Sequence, residues 1–160
     1  MNKISKLALL FLVVLLVTAC KKDIARDEDG SLTVDTTISQ QELQEVIISS
    51  IADPLVKNMT VSLQSDYVLV SGERQRLNDA SKTDTLSFRL DLSVSNGQLA
   101  ATITNAQIDG VPIEQNRADN WNQTIANRLA NFSKRSEKAT LQTISVTPES
   151  VTMSWKVTRQ

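Results

Sequence analysis

The chain has 160 residues, enough for one hydrophobic core, with 17 basic and 18 acidic side chains and a formal charge of −1. It shows no cluster of Lys and Arg, which argues against nucleic-acid binding. It contains no His and a single cysteine, Cys20, so the commonest general base and the usual ligands of transition metals are missing. We therefore expect no catalytic residue, no metal site and no cofactor.

The N-terminal segment has the organisation of a bacterial export signal. Lys3 and Lys6 give it a basic start, and residues 7–17 are uncharged and almost wholly apolar. This run is shorter than the roughly 20 apolar residues that a membrane-spanning helix needs, and its length suits the hydrophobic region of a signal peptide. Two small residues and the cysteine complete the segment, in the order Val17, Thr18, Ala19 and Cys20.

These last four residues resemble the lipobox of bacterial lipoproteins. The resemblance implies that residues 1–19 are removed as a signal peptide, that Cys20 receives a diacylglyceryl group and that the new amine is acylated. Two or three acyl chains anchor a protein firmly, whereas a single chain is marginal. The alternatives are an ordinary signal peptide, or a single-span anchor, that happens to contain a cysteine. The lipobox interpretation predicts an extracytoplasmic protein that is attached to the membrane by its N-terminal lipid.

The residues after the cysteine predict a flexible, charged tether over 20–30. One aliphatic side chain, Ile24, stands among seven charged ones, so this stretch cannot bury enough apolar surface to fold. In lipoproteins the residue after the cysteine also carries sorting information, and Lys21 favours the outer membrane if the cell has two membranes. Residues 31–160 are then expected to form one domain.

Hydrophobic periodicity predicts a strand, a helix and a hairpin in the first part of this domain. Alternating side chains over 32–38 indicate the strand. Ser39 and Glu42 form the S-x-x-E capping box that opens a helix. The helix is expected to end shortly before Pro54, because proline disfavours helix at its own position and at the preceding one. The first hairpin is expected to turn at residues 64–66.

The clearest hairpin signal is the pair Asn96 and Gly97, which lies between two alternating runs. Asn-Gly suits a type I′ turn, because both central residues of that turn need a positive φ. The turn sets a register in which Leu90 lies opposite Ile103. One face of this strand pair is then apolar and the other polar, as is common in antiparallel sheets.

The second half of the domain predicts a turn, a helix and a last hairpin. Asp109 and Gly110 form a turn signal, and we read this aspartate as a turn residue rather than a catalytic carboxylate. An amphipathic helix is expected over 119–132, and the final hairpin turns at 147–150. Together the elements predict an α+β domain, in which a single antiparallel sheet of hairpins carries two amphipathic helices on one face.

The apolar faces of this sheet and its helices define a candidate ligand site. Such an arrangement forms either a filled core or a slot for an apolar ligand, and the sequence leaves both open. The side chains that would line the slot are Leu43, Ile47, Ile51, Phe88, Leu90, Trp121, Ile125 and Leu129.

The order of elements over 32–157 resembles small uncharacterised envelope lipoproteins and half-modules of tubular lipid-binding proteins. The resemblance rests on the hairpin at Asn96 and Gly97, the D-G-x-P loop that begins at Asp109, and the helix and hairpin after it. In tubular proteins a curled sheet wraps a helix and holds acyl chains, which implies a lipid ligand. This chain is short for a complete tubular module.

Two functional hypotheses follow from these observations. In the first, the protein is a membrane-anchored, non-enzymatic module that binds a lipid or another apolar ligand between sheet and helices. In the second, it is a structural or adaptor lipoprotein that holds a protein partner of the cell envelope through a sheet edge or an exposed face.

Overall fold

The computed structural model describes residues 24–26, 30–133 and 138–158. These residues form two antiparallel sheets and two helices. The elements in chain order are β1 Ile24–Arg26, β2 Leu32–Ser39, α1 Gln40–Ser50, β3 Val56–Leu63, β4 Val68–Gln75, β5 Thr83–Ser95, β6 Gln98–Ile108, β7 Val111–Pro112, α2 Gln115–Ser133, β8 Ala139–Val146 and β9 Ser150–Val157.

The first sheet has the strand order β1-β2-β9-β8 and is built on a pairing between the two ends of the domain. Strand β2 pairs with β9 along its whole length. Within this pair the buried hydroxyl of Thr36 donates to the carbonyl oxygen of Met153, 3.4 Å away. The same hydroxyl accepts a hydrogen bond of 3.1 Å from the indole N–H of Trp155. The long-range pairing therefore encloses a polar group whose hydrogen bonds are satisfied.

The second sheet has the order β3-β4-β5-β6-β7 and is centred on the predicted Asn-Gly hairpin. Asn96 and Gly97 both have positive φ, 52° and 71°. Leu90 lies opposite Ile103, so the predicted register is confirmed. The alternation ends at a β-bulge that includes Asn105, whose φ is 53°. A bulge of this kind bends its strand and increases the local twist.

A second bulge lies in β3 and depends on a glycine in the neighbouring strand. Lys57 pairs with Glu73 and Thr60 with Ser71, so two residues of β3 lie opposite the single residue Gly72. A Cβ added at Gly72 would lie 3.4 Å from both the Lys57 carbonyl oxygen and the Met59 Cα. Glycine therefore permits the bulged strand to approach β4 closely.

Helix α1 begins at the predicted capping box. The Ser39 hydroxyl accepts a hydrogen bond of 3.3 Å from the Glu42 N–H, and the Glu42 carboxylate accepts one of 2.8 Å from the Ser39 N–H. The helix ends at Ser50, before Pro54 as expected, while α2 starts at Gln115, earlier than its pattern predicted. Neither of these described helices combines the length and the apolar character that crossing a membrane requires.

Helix α1 covers the outer strand β3 of the second sheet, and α2 covers the part of β6 that the two-residue strand β7 leaves unpaired. The Gln44 side-chain oxygen on α1 accepts a hydrogen bond of 3.3 Å from the Val61 N–H of β3. The Asn122 side-chain oxygen on α2 accepts one of 2.7 Å from the Ile103 N–H of β6. These N–H groups point away from their own hairpin partners, so the amides satisfy donors that an uncovered edge would leave open.

The prediction of an α+β domain with a single antiparallel sheet and both helices on one face is wrong, because the described residues are mostly β and their strands form two sheets. The sheets meet where the Leu141 N–H donates to the Gly97 carbonyl oxygen at 2.8 Å and the Asp66 N–H donates to the Val146 carbonyl oxygen at 3.0 Å. Alternation along a strand reveals which side chains are buried but not which strand is its neighbour. Pairing between β2 and β9 brings together residues that are 117 positions apart, such as Thr36 and Met153.

Candidate functional site

The eight side chains predicted to line a ligand slot all belong to one continuous core. None of them is more than 7% exposed, and five are 0% exposed. The rings of Phe88 and Trp121 pack at a centroid distance of 5.9 Å, which links the second sheet to α2. The full set consists of Leu43, Ile47, Ile51, Phe88, Leu90, Trp121, Ile125 and Leu129. The structure thus brings together all the residues that the sequence singled out.

Three of these residues also reach the walls of surface clefts. Ile51 and Trp121 line a cleft of about 490 Å³ between the end of α1 and α2. Phe88 reaches a cleft of about 500 Å³ beside Tyr67 and Arg89 of the second sheet. These three side chains are 2% to 7% exposed, so the clefts border on the core at these positions without opening it.

The cleft between α1 and α2 is rich in arginine, and we call it the arginine cleft. Its walls contain the guanidinium groups of Arg74, Arg117 and Arg128 and a single carboxylate, that of Asp53. Three positive charges against one negative charge give the cleft an excess of +2, although the whole chain carries −1. A cleft of this sign concentrates anions.

Helical spacing places four residues of this cleft on one face of α2. Arg117, Trp121, Thr124 and Arg128 all line it, at intervals of four, three and four residues. Such intervals keep side chains on the same face of a helix. Arg74 reaches the cleft from β4, so the second sheet contributes one arginine and the helix two.

Asp53, the one acidic residue of the arginine cleft, is held by two hydrogen bonds. Its carboxylate accepts hydrogen bonds of 3.0 Å from the Arg74 side chain and 3.0 Å from the Leu55 N–H. Partial burial raises the pKa of Asp53, but the Arg74 hydrogen bond, the Leu55 N–H and the charges of Arg74 and Arg117 outweigh it and hold the pKa below its ordinary value. Asp53 is therefore ionised at neutral pH and is already bound to Arg74.

The other two arginines remain largely available. One side-chain nitrogen of Arg128 donates to the Ser49 hydroxyl at 3.3 Å. Across the described ranges, the Arg117 guanidinium has no hydrogen-bond partner, and its residue is exposed. A bidentate donor in this position is suited to a carboxylate or a phosphate.

A second depression adjoins the arginine cleft, and we call it the apolar groove. It has a volume of about 340 Å³, and its lining consists of Ile48, residues 51–54, Val56 and Met59 together with the polar residues Lys57 and Asn58. Residues 51–54 also line the arginine cleft, so the two depressions share a wall. Ile48 is 47% exposed there, so a large aliphatic side chain faces solvent at the groove.

The cleft beside Tyr67 has a different charge balance. The Arg89 guanidinium stacks 4.1 Å from the centre of the Tyr67 ring and hydrogen-bonds to Asp91 at 2.9 Å. This arginine is therefore already paired with a carboxylate and an aromatic ring. The cleft has less unsatisfied charge to offer an anionic ligand than the arginine cleft does.

The prediction from sequence missed Arg74, Arg117, Arg128 and Asp53. Part of the signal was present, because Arg117 and Arg128 are eleven residues apart and flank Trp121 on one face of α2. Arg74 and Asp53 could not be added from spacing, since the fold of the second sheet brings them to the helix.

The predicted lipidation site Cys20 and the lipobox residues Val17, Thr18 and Ala19 lie outside the described residues. Among the residues that the structure describes, no group of three or more His, Cys, Asp or Glu side chains is arranged to hold a metal ion. The chain matches no protein-family model, no curated protein and no solved structure.

Proposed function

We propose that this protein is a lipid-anchored, extracytoplasmic binding protein of the cell envelope, without enzymatic activity, whose ligand is a lipid or another molecule with an apolar part. The anchor proposal rests on the basic start, the apolar run of residues 7–17 and the lipobox that ends at Cys20. The binding proposal rests on one observation, the arginine cleft, where Ile51 and Trp121 of the core border on a solvent-accessible space.

This proposal places the ligand at the boundary of the core. The residues in the middle of the predicted slot, such as Leu43, Ile125 and Leu129, are 0% exposed and packed in the continuous core. A ligand can reach Ile51 and Trp121 from the surface without separating the sheet from the helices. Concave surfaces with apolar walls and a few convergent polar groups are the usual form of small-molecule sites.

Native mass spectrometry of the protein, combined with lipid extraction, tests the proposal. The protein is isolated under mild conditions, and half of each sample is denatured before the measurement. Acyl chains attached to Cys20 remain with the denatured chain, whereas a bound ligand is released. We expect a non-covalent adduct of lipid mass in the native spectrum only. A native spectrum equal to the denatured one, with nothing enriched in the extract, contradicts the binding proposal.

An adaptor function is the second candidate, and two exposed side chains favour it. Leu77 is 83% exposed and Val111 is 66% exposed. Leu77 belongs to the loop after β4, and Val111 begins β7 directly after the loop at 109–110. These two loops are neighbours, because Arg76 binds Asp109 at 3.1 Å. If these loops hold a protein partner, a photo-cross-linking residue at position 77 should give one discrete product in intact cells, and Val111→Ser should weaken it.

A further inference from the structure

We infer that the ligand is an amphiphile with one anionic head group, which binds in the arginine cleft while its chain crosses residues 51–54 into the apolar groove. This inference rests on the proposed binding function and adds the class of ligand and the residues that select it. The head group is a phosphate or a carboxylate, which share the planar pairs of oxygen atoms that guanidinium groups bind.

The sign of the head group follows from the charges that line the arginine cleft. Asp53, its one carboxylate, is bound to the Arg74 side chain and the Leu55 N–H at 3.0 Å each. Arg117 and Arg128 then provide two positive charges on one face of α2 that form no ion pair within the cleft, although the charge of Arg117 also acts on Asp53. An anion would neutralise this excess, whereas a cation or a neutral sugar would leave it unbalanced.

The alkyl chain of the ligand is inferred from the neighbouring apolar groove. The groove and the arginine cleft share residues 51–54, so a molecule bound in one can continue over this segment into the other. Ile48, Val56 and Met59 form its apolar surface on the far side of that segment. Burying an alkyl chain there removes its methylene groups from water, which favours binding. A free phosphate would use the arginines but not this groove.

The experiment compares three soluble probes on the full chain, which is kept in a non-ionic amphipol so that no free detergent competes. Octyl phosphate carries both head and chain, inorganic phosphate carries the head alone, and octyl glucoside carries the chain alone. Calorimetry measures their affinities below the critical micelle concentrations. We expect octyl phosphate to bind at least tenfold more tightly than either of the other probes.

Two pairs of variants locate the site. Arg117→Gln removes an exposed cation of the cleft, and Arg26→Gln removes an exposed one on β1. Ile48→Ser shortens an exposed aliphatic side chain in the apolar groove, and Leu77→Ser does so in a loop. Arg117→Gln should weaken octyl phosphate tenfold or more, and Ile48→Ser about threefold to tenfold, while the two control variants leave it unchanged. Arg128→Gln repeats the test of the cleft.

The outcomes separate this inference from the proposed function. Equal affinities for octyl phosphate and inorganic phosphate, with no effect of Ile48→Ser, identify a free-anion site and overturn the amphiphile assignment. Binding of octyl phosphate that none of the cleft variants changes overturns the site and leaves the proposed function standing. Absence of binding by both octyl probes overturns the inference, and with a ligand-free native mass spectrum it overturns the proposed function too.

Discussion

Gly97 adopts the left-handed turn conformation and also lies at the junction between the two sheets. Replacing it should therefore lower the free energy of unfolding by more than the turn conformation alone explains. Its φ of +71° lies in the left-handed region, where an alanine costs roughly 1–2 kcal/mol. A Cβ at this position would also overlap the Cγ2 atom of Thr140 in β8. Overpacking costs about 1–3 kcal/mol, and the lower end applies here because Thr140 is exposed and can rotate. Gly97→Ala should therefore destabilise by about 2–3 kcal/mol.

The chain offers a matched control for the backbone part of this cost. Gly110 has a φ of +75°, and the nearest atom to an added Cβ is the Gln107 side-chain oxygen at 3.9 Å, an ordinary contact. Gly110→Ala should thus show the left-handed penalty alone. The clash is isolated by a double-mutant cycle with Thr140→Ala, in which the cost of Gly97→Ala should fall by about 1 kcal/mol.

Urea denaturation followed by tryptophan fluorescence measures all five free energies of unfolding, those of the four proteins of the cycle and of Gly110→Ala. For a domain of this size the denaturant slope is about 1–3 kcal/mol per molar urea, so a difference of 1 kcal/mol moves the midpoint by a readily measured amount. If Gly97→Ala costs the same with Thr140 present and absent, and no more than Gly110→Ala, the hairpin tip is not packed on β8. The proposed junction between the sheets would then be refuted.

Three further predictions address the core, the cleft and the anchor. Ile125 is 0% exposed, so Ile125→Ala should cost about 2–5 kcal/mol in urea denaturation, and a cost below 1 kcal/mol would indicate an open slot beneath it. Asp53 has a lowered pKa, so its contribution to folding stability is fully present above pH 3.8 and is lost as pH falls through the folded-state pKa. Asp53→Asn should therefore lower the free energy of unfolding by about 1–3 kcal/mol at pH 7 and by progressively less below pH 3.8. An equal loss at pH 7 and pH 2 would contradict this. Cys20→Ser should abolish labelled-palmitate incorporation and leave the signal uncut, whereas a native protein that attaches to membranes without acylation would contradict the lipobox.

Local signals in the sequence predicted local structure well. Asn96 and Gly97 specify a turn with two positive φ angles, and this turn fixed the register of β5 with β6. Ser39 and Glu42 form both hydrogen bonds of the capping box. In each case the interacting residues are close in the chain, so their energies depend little on the rest of the fold.

The division into two sheets could not be read from the same patterns. The buried alternation of Val34, Thr36 and Ile38 is equally compatible with any neighbouring strand. Only the fold places β9 beside β2, and a pairing over so long a separation leaves no mark in local periodicity. The same holds for the candidate site. The sequence could place Arg117 and Arg128 on one face of α2, whereas the contributions of Arg74 and Asp53 depend on the position of β4.

The coverage of the sheet edges bears on the choice between ligand binding and an adaptor function. Pairing with a partner strand requires an open row of N–H and C=O groups at a sheet edge. In the second sheet, the Gln44 side chain of α1 accepts a hydrogen bond from the Val61 N–H of β3, and the Asn122 side chain of α2 accepts one from the Ile103 N–H of β6. The remaining outer strands are β1, β7 and β8. Strands β1 and β7 have three and two residues, too few for a long ladder. Strand β8 has eight residues, and on its outer side the Leu141 N–H donates to Gly97 and the Val146 carbonyl oxygen accepts from Asp66 of the second sheet. The described residues therefore offer few open edge groups for the addition of a partner strand, so we expect side chains to carry recognition. Side-chain recognition of an anion is the capacity that the arginine cleft offers.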